Sequence, residues 1–215
     1  MLRGRFRADW RLGVRLYGRS MKTGVLGGTF DPPHIGHLAV AEAAIQHLGL
    51  DEVLFVPANR SPFKRTRPQT PARQRVEMLE LLLQGRPQMA VCDIEVERGG
   101  VSYTVETLAD LTFARPGEYW LLLGSDALLG FRQWKNPEKI VRYARIGAVP
   151  RDFRAREELL ALLPPDIAER VDFIPMEPVP ISSSELRERA ANGLSLQPWV
   201  PAELQRYIRE HRLYQ

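Results

Sequence analysis

Residues 22–38 read KTGVLGGTFDPPHIGHL. Thr23 to Gly27 is a short apolar run ending in glycine, as a buried strand would be. Gly27 and Gly28 let the main chain turn tightly off that strand, and Pro32 and Pro33 stiffen the approach to a helix. From Ile35 to Leu48 the apolar residues recur at helical spacing. Strand, glycine turn and helix in that order make the first half of a βαβ unit, and the rest of the chain can be tested against that beginning.

The alternation continues. Glu52–Pro57 (EVLFVP) reads as a second strand. Thr70-Pro71 reads as an N-cap with proline at the first helical position, opening a helix through Leu83. Met89 to Ile94 is strand-like, Thr104 to Phe113 helical, and Tyr119 to Leu123 a buried strand. Pro137 to Tyr143 reads as helix, Ile146 to Val149 as strand, Arg154 to Leu163 as helix, and Val171 to Ile174 as the last strand. Helices over Ser183–Ala191 and Pro201–His211 close the chain. The expected fold is α/β: a Rossmann-like, doubly wound, mostly parallel sheet with helices on both faces. Ligands of such sheets sit at the carboxyl ends of the strands, which directs attention to the loops after the first, second and fourth strands. The second of these, Ala58 to Gln69 (ANRSPFKRTRPQ), is basic and broken by proline.

Bulk properties narrow the class. A chain of 215 residues with 44% hydrophobic and 26% charged side chains suits one α/β domain. The single cysteine, Cys92, excludes an internal disulfide framework and fits a reducing compartment, so a cytoplasmic location is expected. No apolar run is long enough to span a bilayer, so no membrane partner is expected. The net charge of +4 is unevenly placed: residues 1–20 hold six arginines against Asp9 alone, which leaves 24 basic and 25 acidic side chains for the remainder. The body is therefore close to neutral, and a nucleic-acid partner is not expected. Met21-Lys22-Thr23 runs directly into the first strand, so residues 1–20 are expected to be a dispensable basic extension to a single domain over 21–215. Turnover by a chain beginning at Met21 tests this. The oligomeric state is not legible.

The glycines of 27–28 do not spell a dinucleotide fingerprint, and no Gly-x-x-x-x-Gly-Lys loop occurs. His34 and His37 make a weak zinc pair without a third ligand nearby, and one of them could simply cap the helix. In context they read differently. A helix N-terminus offers N–H groups and positive dipole to an anion, Gly36 clears space for a flat ligand, and two imidazoles can donate to phosphate oxygens. The stretch reads as a polyphosphate site.

With the histidines in that setting, a family resemblance becomes specific. His34-Ile35-Gly36-His37 is similar to the signature shared by nucleotidyltransferases and class I aminoacyl-tRNA synthetases, and Gly27 to His34 resembles the nicotinate-nucleotide adenylyltransferases of NAD biosynthesis. Arg98 to Leu108 resembles that family's Arg…Ser-Tyr-Thr…Thr-Leu segment, Leu123 to Lys135 its Gly-x-Asp…Trp-Lys segment, and Ile181 to Arg187 its Ile-Ser-Ser-Thr-x-x-Arg segment. The resemblance implies a bacterial-type enzyme that transfers AMP from ATP to nicotinate mononucleotide, with Mg²⁺ carried mainly on the ATP phosphates and no metal ligands of the protein's own. It implies His37, His34, Lys64 and Arg187 as the catalytic cations and donors. Gly27, Gly28, Thr29, Phe30, Gly36, Gly124, Asp126, Ile181, Ser182, Ser183 and Ser184 would join the two histidines and Arg187 around ATP. Phe30, Lys64, Thr104, Trp134 and Lys135 would hold the mononucleotide, Trp134 by stacking on the pyridine ring.

Each residue also has a plainer explanation. Ser182-x-x-Glu185 is a capping box in its own right, Lys64 a solvated lysine, Trp134 a core aromatic, and Asp126 an N-cap for Ala127 onward. One departure stands out: where the family loop reads Pro-Pro-His-Lys, this chain has Ser61-Pro62-Phe63-Lys64, so a histidine contact does not carry over. The alternatives are transfer to nicotinamide mononucleotide or phosphopantetheine, a cytidylyltransferase acting on a polyol phosphate, a non-catalytic nucleotide sensor, and a nucleic-acid binder driven by the leader.

Overall fold

A computed structural model of the protein describes residues 20–62, 70–150 and 156–215; residues 1–19 of the expected extension and Lys64 with its neighbours Phe63 and Arg65 lie outside the described residues. Strands β1 (Lys22–Gly28), β2 (Glu52–Pro57), β3 (Met89–Val91), β4 (Glu118–Gly124), β5 (Arg145–Val149) and β6 (Val171–Phe173) form one sheet in the order β3-β2-β1-β4-β5-β6. Every pairing is parallel, with Val25 of β1 between Leu54 of β2 and Leu121 of β4. The chain winds outward from β1 to β3, returns to the other side of β1 as β4, and winds outward again. That reversal opens a crevice at the carboxyl ends of β1 and β4.

The helices are α1 (Ile35–Leu48), α2 (Ala72–Leu82), α3 (Ile94–Arg98), α4 (Thr104–Ala114), α5 (Ser125–Leu129), α6 (Pro137–Tyr143), α7 (Arg156–Ala161), α8 (Pro165–Ala168), α9 (Ser183–Ala191) and α10 (Ala202–Glu210). One face of the sheet packs Phe30, Phe55 and Leu122 with Leu38 of α1, Leu79 of α2, Leu186 of α9 and Leu204 of α10. The other packs Val25, Leu54 and Leu121 with Leu108 of α4, Leu128 of α5, Ile140 of α6 and Ile167 of α8. Burial on both faces is why β2 and β4 read as unbroken apolar runs rather than alternating ones. Among the described residues no helix is long and apolar enough to cross a membrane.

Two local expectations change, and short helices appear that the sequence does not announce. Strand β3 stops at Val91, because Cys92 makes the last ladder contact, its N–H to Phe55 O at 2.9 Å, and Ile94 opens α3. Thr70 does not cap α2. Pro71 takes the N-cap position, and the buried Thr70 hydroxyl donates instead to Tyr214 Oη at 3.1 Å. Helices α5 and α8, five and four residues long, are too short for a periodicity to show.

Candidate active site

The turn after β1 carries Thr29 to His34 into α1. His34 is the N-cap of that helix, in extended conformation, and its Nδ1 accepts from the Gly36 N–H at 3.2 Å. His37 reaches back, its Nδ1 accepting from the His34 N–H at 3.2 Å. The two imidazoles therefore form a reciprocal cap, with ring centroids 3.9 Å apart. An Nδ1 that accepts leaves the neutral ring's proton on Nε2, so each neutral histidine presents an Nε2–H donor. His34 is 7% exposed, and burial lowers its pKa to about 4, which keeps it neutral at physiological pH.

Two expectations for this turn are corrected. The Ile35 N–H donates to Trp199 O and the His37 N–H to His34 O, both at 2.9 Å, so with Gly36 the first amides of α1 are taken by protein acceptors. What this helix tip offers an anion is imidazole rather than free main chain. The space cleared by Gly36 is filled by the His34 ring, since a Cβ there would lie 2.9 Å from His34 Nδ1. Phe30 is corrected as well. The residue is 2% exposed, and its ring packs edge-on to His37 at 4.9 Å and against Phe55 at 5.9 Å, so its side chain belongs to the core rather than to the surface of the crevice. Its φ of +53° lies in the left-handed region, and Gly28 makes room for the folded-back ring. Gly27 differs: a Cβ there would meet nothing within 4 Å.

Helix α9 comes to the same turn. Arg187 Nη1 donates to Asp31 O at 2.7 Å and Nη2 to Ser184 Oγ at 3.0 Å, while Ser183 Oγ donates to Pro32 O at 2.9 Å. Ser182 caps α9, accepting from the Glu185 N–H at 3.2 Å; only this half of the expected capping box forms. The main-chain N–H groups of Ser183 and Ser184 meet no protein acceptor among the described residues. Ile181, just before the cap, packs against the core of this face.

On the other side of β1 a cavity of about 640 Å³ opens between the ends of β1 and β4. Gly27, Gly28, Thr29, Gly124, Thr104, Trp134 and Lys135 line it, and the two histidines do not. The expected residues thus fall into two groups, joined by the tip of β1. Thr104 is the first residue of α4, whose N-cap Tyr103 makes no side-chain cap bond. Trp134 is half-buried and packs on Phe131 at 5.4 Å. Lys135 Nζ lies 2.7 Å from Glu106 Oε1 and over the Tyr103 ring, so it is already paired. Asp126 is exposed in the first turn of α5, where Gly124 holds the N-cap position expected for an acid.

Three features were missed from sequence. Glu95 is buried in the cavity wall, where desolvation raises its pKa against hydrogen bonds from Thr107, at 2.6 Å, and Ser102. Arg75, 1% exposed, donates to Thr29 O at 2.7 Å, Thr70 O at 3.1 Å and Asn59 O at 3.3 Å, joining the turn after β1 to the ends of the basic loop after β2. Tyr214 Oη donates to Asp31 Oδ1 at 2.6 Å. Arg75 and Tyr214 sit in unremarkable helical and terminal sequence, and no local pattern marks them.

A crevice at the strand-order reversal, with two helix tips meeting at one glycine turn, is the architecture of an α/β protein of the nucleotidyltransferase kind. The cytidylyltransferase-like family model matches residues 25–189. A protein from Dehalococcoides mccartyi (strain ATCC BAA-2266 / KCTC 15142 / 195) named "Probable nicotinate-nucleotide adenylyltransferase" is 39% identical over 91% of this chain and 98% of its own length. One of the same name from Dictyoglomus turgidum is 40% identical over 90% of this chain and 96% of its own. The solved nicotinic acid mononucleotide adenylyltransferase of Plasmodium falciparum, complexed with NaAD, superposes with a TM-score of 0.74 at 20% identity, covering 90% of this chain and 97% of that one, which speaks to the fold. The chain belongs to the nicotinate-nucleotide adenylyltransferase family.

Proposed function

We propose that the protein transfers the AMP moiety of ATP to nicotinate mononucleotide, yielding nicotinate adenine dinucleotide and pyrophosphate, and that its site residues divide the work between two half-sites. The observation that carries the division is the tether of α9 to the turn after β1 through Arg187 and Ser183, beside a separate cavity bounded by Thr104 and Trp134. The 5′-phosphate of the mononucleotide attacks the α-phosphorus of ATP in line. The P–O bond to pyrophosphate breaks as the new P–O bond forms. The nucleophile is already an anion, so no general base is needed, and catalysis consists of positioning and charge stabilisation.

His34 and His37 donate Nε2–H to oxygens of the reacting phosphates, while Arg187 and the Ser183 and Ser184 amides take up the charge of the leaving pyrophosphate. Asp126, Ser182 and Ile181 border the nucleotide, and Lys64 adds positive charge from the loop after β2. Magnesium enters with ATP as part of the substrate. Among the described residues no cluster of three or more His, Cys, Asp or Glu side chains is placed to hold a metal; phosphate oxygens and water are the usual ligands of such an ion.

Trp134 stacks on the pyridine ring, and the N-terminus of α4 at Thr104 meets its carboxylate, a charge that the helix dipole favours over a neutral carboxamide. The test is pyrophosphate release from ATP with the acid and the amide mononucleotide side by side. Faster turnover of the acid is expected. A preference for the amide reverses the assignment of α4, and release with neither, but with phosphopantetheine, replaces the acceptor.

A further inference from the structure

The last turn of the chain enters the core beneath the phosphate-gripping turn. Helix α10 ends at Glu210, and the main chain then doubles back, with the Leu213 N–H donating to Ile208 O at 3.0 Å. Two non-glycine residues within three positions, Arg212 and Tyr214, take left-handed φ values of +51° and +66°. Such conformations are unfavourable and persist only where the surroundings compensate them. Here the compensation is the insertion of the Tyr214 side chain, which leaves that residue 9% exposed, next to last in the chain.

Its hydroxyl lies between two segments of the site. It donates to Asp31 Oδ1 at 2.6 Å and accepts from Thr70 Oγ1 at 3.1 Å. Asp31 is 3% exposed, and its main-chain oxygen is the one that receives Arg187. Burial, with the nearby Asp31 carboxylate, raises the pKa of the phenol, so it remains a donor across the physiological range. A buried carboxylate held by a neutral donor at this distance makes a strong hydrogen bond, and losing the hydroxyl removes the bond that ties Asp31 to the end of the chain.

Resting on the function proposed above, we propose that Tyr214 is a positioning residue for the triphosphate half of the site: by holding the Asp31 carboxylate it fixes the main-chain oxygen that aims Arg187 and the turn that leads into His34. It touches neither substrate. Its effect falls on ATP, because Tyr214, Asp31 and Arg187 do not line the mononucleotide cavity.

The experiment compares the full chain with Tyr214→Phe, which keeps the ring and removes the hydroxyl. Steady-state kinetics vary ATP and nicotinate mononucleotide separately, and calorimetry reads the binding of a non-hydrolysable ATP analogue. The expected result is a kcat about tenfold lower and analogue binding severalfold weaker, with KM for the mononucleotide within twofold and a cooperative unfolding transition retained. Asp31→Asn should give a similar loss, and the double variant should be no worse than the more impaired single one. Unchanged kcat and analogue affinity, equal losses toward both substrates, or fully additive losses in the double variant would each overturn the proposal. If the unaltered protein releases no pyrophosphate, the functional reading fails by itself, and the analogue titration still decides whether Tyr214 orders the turn.

Discussion

On the proposed function His34 has two jobs, helix cap and phosphate donor, and pH tests the first of them. The buried imidazole keeps its Nδ1 on the Gly36 N–H and has its pKa lowered to about 4, whereas an unfolded histidine titrates near 6.5. Between those values the unfolded chain binds a proton that the folded chain does not, so stability is full above about pH 6.5 and is lost as pH falls toward 4. At pH 5 this one group should remove roughly 2 kcal/mol. Urea unfolding at pH 7.5 and 5 should show that loss in the parent protein and not in His34→Asn, where asparagine caps the helix without titrating. An equal pH dependence in both proteins would show that His34 is not the group concerned. Gly36→Ala tests the other job. Alanine suits a helix better than glycine, but its Cβ would press on the His34 ring from 2.9 Å. Turnover should fall about tenfold or more while the unfolding midpoint stays nearly constant, because a displaced donor costs far more in the transition state than in the fold. Glycine at 36 was legible as a demand for space, but what would fill the space was not.

Helix α9 shows what an element adds that its residues do not. Its sequence announces a capped helix, and Ser183–Ala191 forms over the range expected. The hydrogen bonds to Asp31 O and Pro32 O, which join it to a turn more than 150 positions earlier, leave no local trace. The same holds across the molecule. Helices α1 and α6 and strand β2 match their expected bounds because periodicity, proline and glycine are local signals. Arg75 and Tyr214 stayed hidden because their partners are main-chain oxygens and a carboxylate brought near only by folding. The α9 tether predicts that charge alone will not serve at 187. Arg187 uses two nitrogens at once, one on Asp31 O and one on Ser184 Oγ. Arg187→Ala should lower kcat about a hundredfold, near 3 kcal/mol, and Arg187→Lys should recover little of it, because an ammonium has no planar fork. Recovery to within threefold by lysine would mean that Arg187 acts only as a point charge.

At the scale of the whole molecule, the sheet lies between the two half-sites proposed above. The cap of α1 and the tip of α9 lie on the face built around Phe55 and Leu122, and the Trp134 cavity lies on the face built around Leu54 and Leu121. The tip of β1, Gly27 to Thr29, joins them, and Leu26 and Leu122 of the first face also line the cavity. Gly27 has open space where a side chain would be, so an ATP lying across it can reach both faces. If the faces are independent, damage to one should leave the other's ligand alone. Trp134→Ala removes a stacking surface worth about 0.5–1.5 kcal/mol beyond its buried area. KM for the mononucleotide should rise about tenfold, a difference of about 1.4 kcal/mol. Affinity for a non-hydrolysable ATP analogue should stay within twofold, and Trp134→Phe should recover most of the loss by restoring a flat ring. Trp134 and Arg187 belong to different half-sites of the proposal, so their combined cost in kcat/KM should be the sum of the separate costs to within about 0.5 kcal/mol. A smaller combined loss would mean that the two faces communicate through β1, with the glycine tip acting as a moving part rather than a fixed floor.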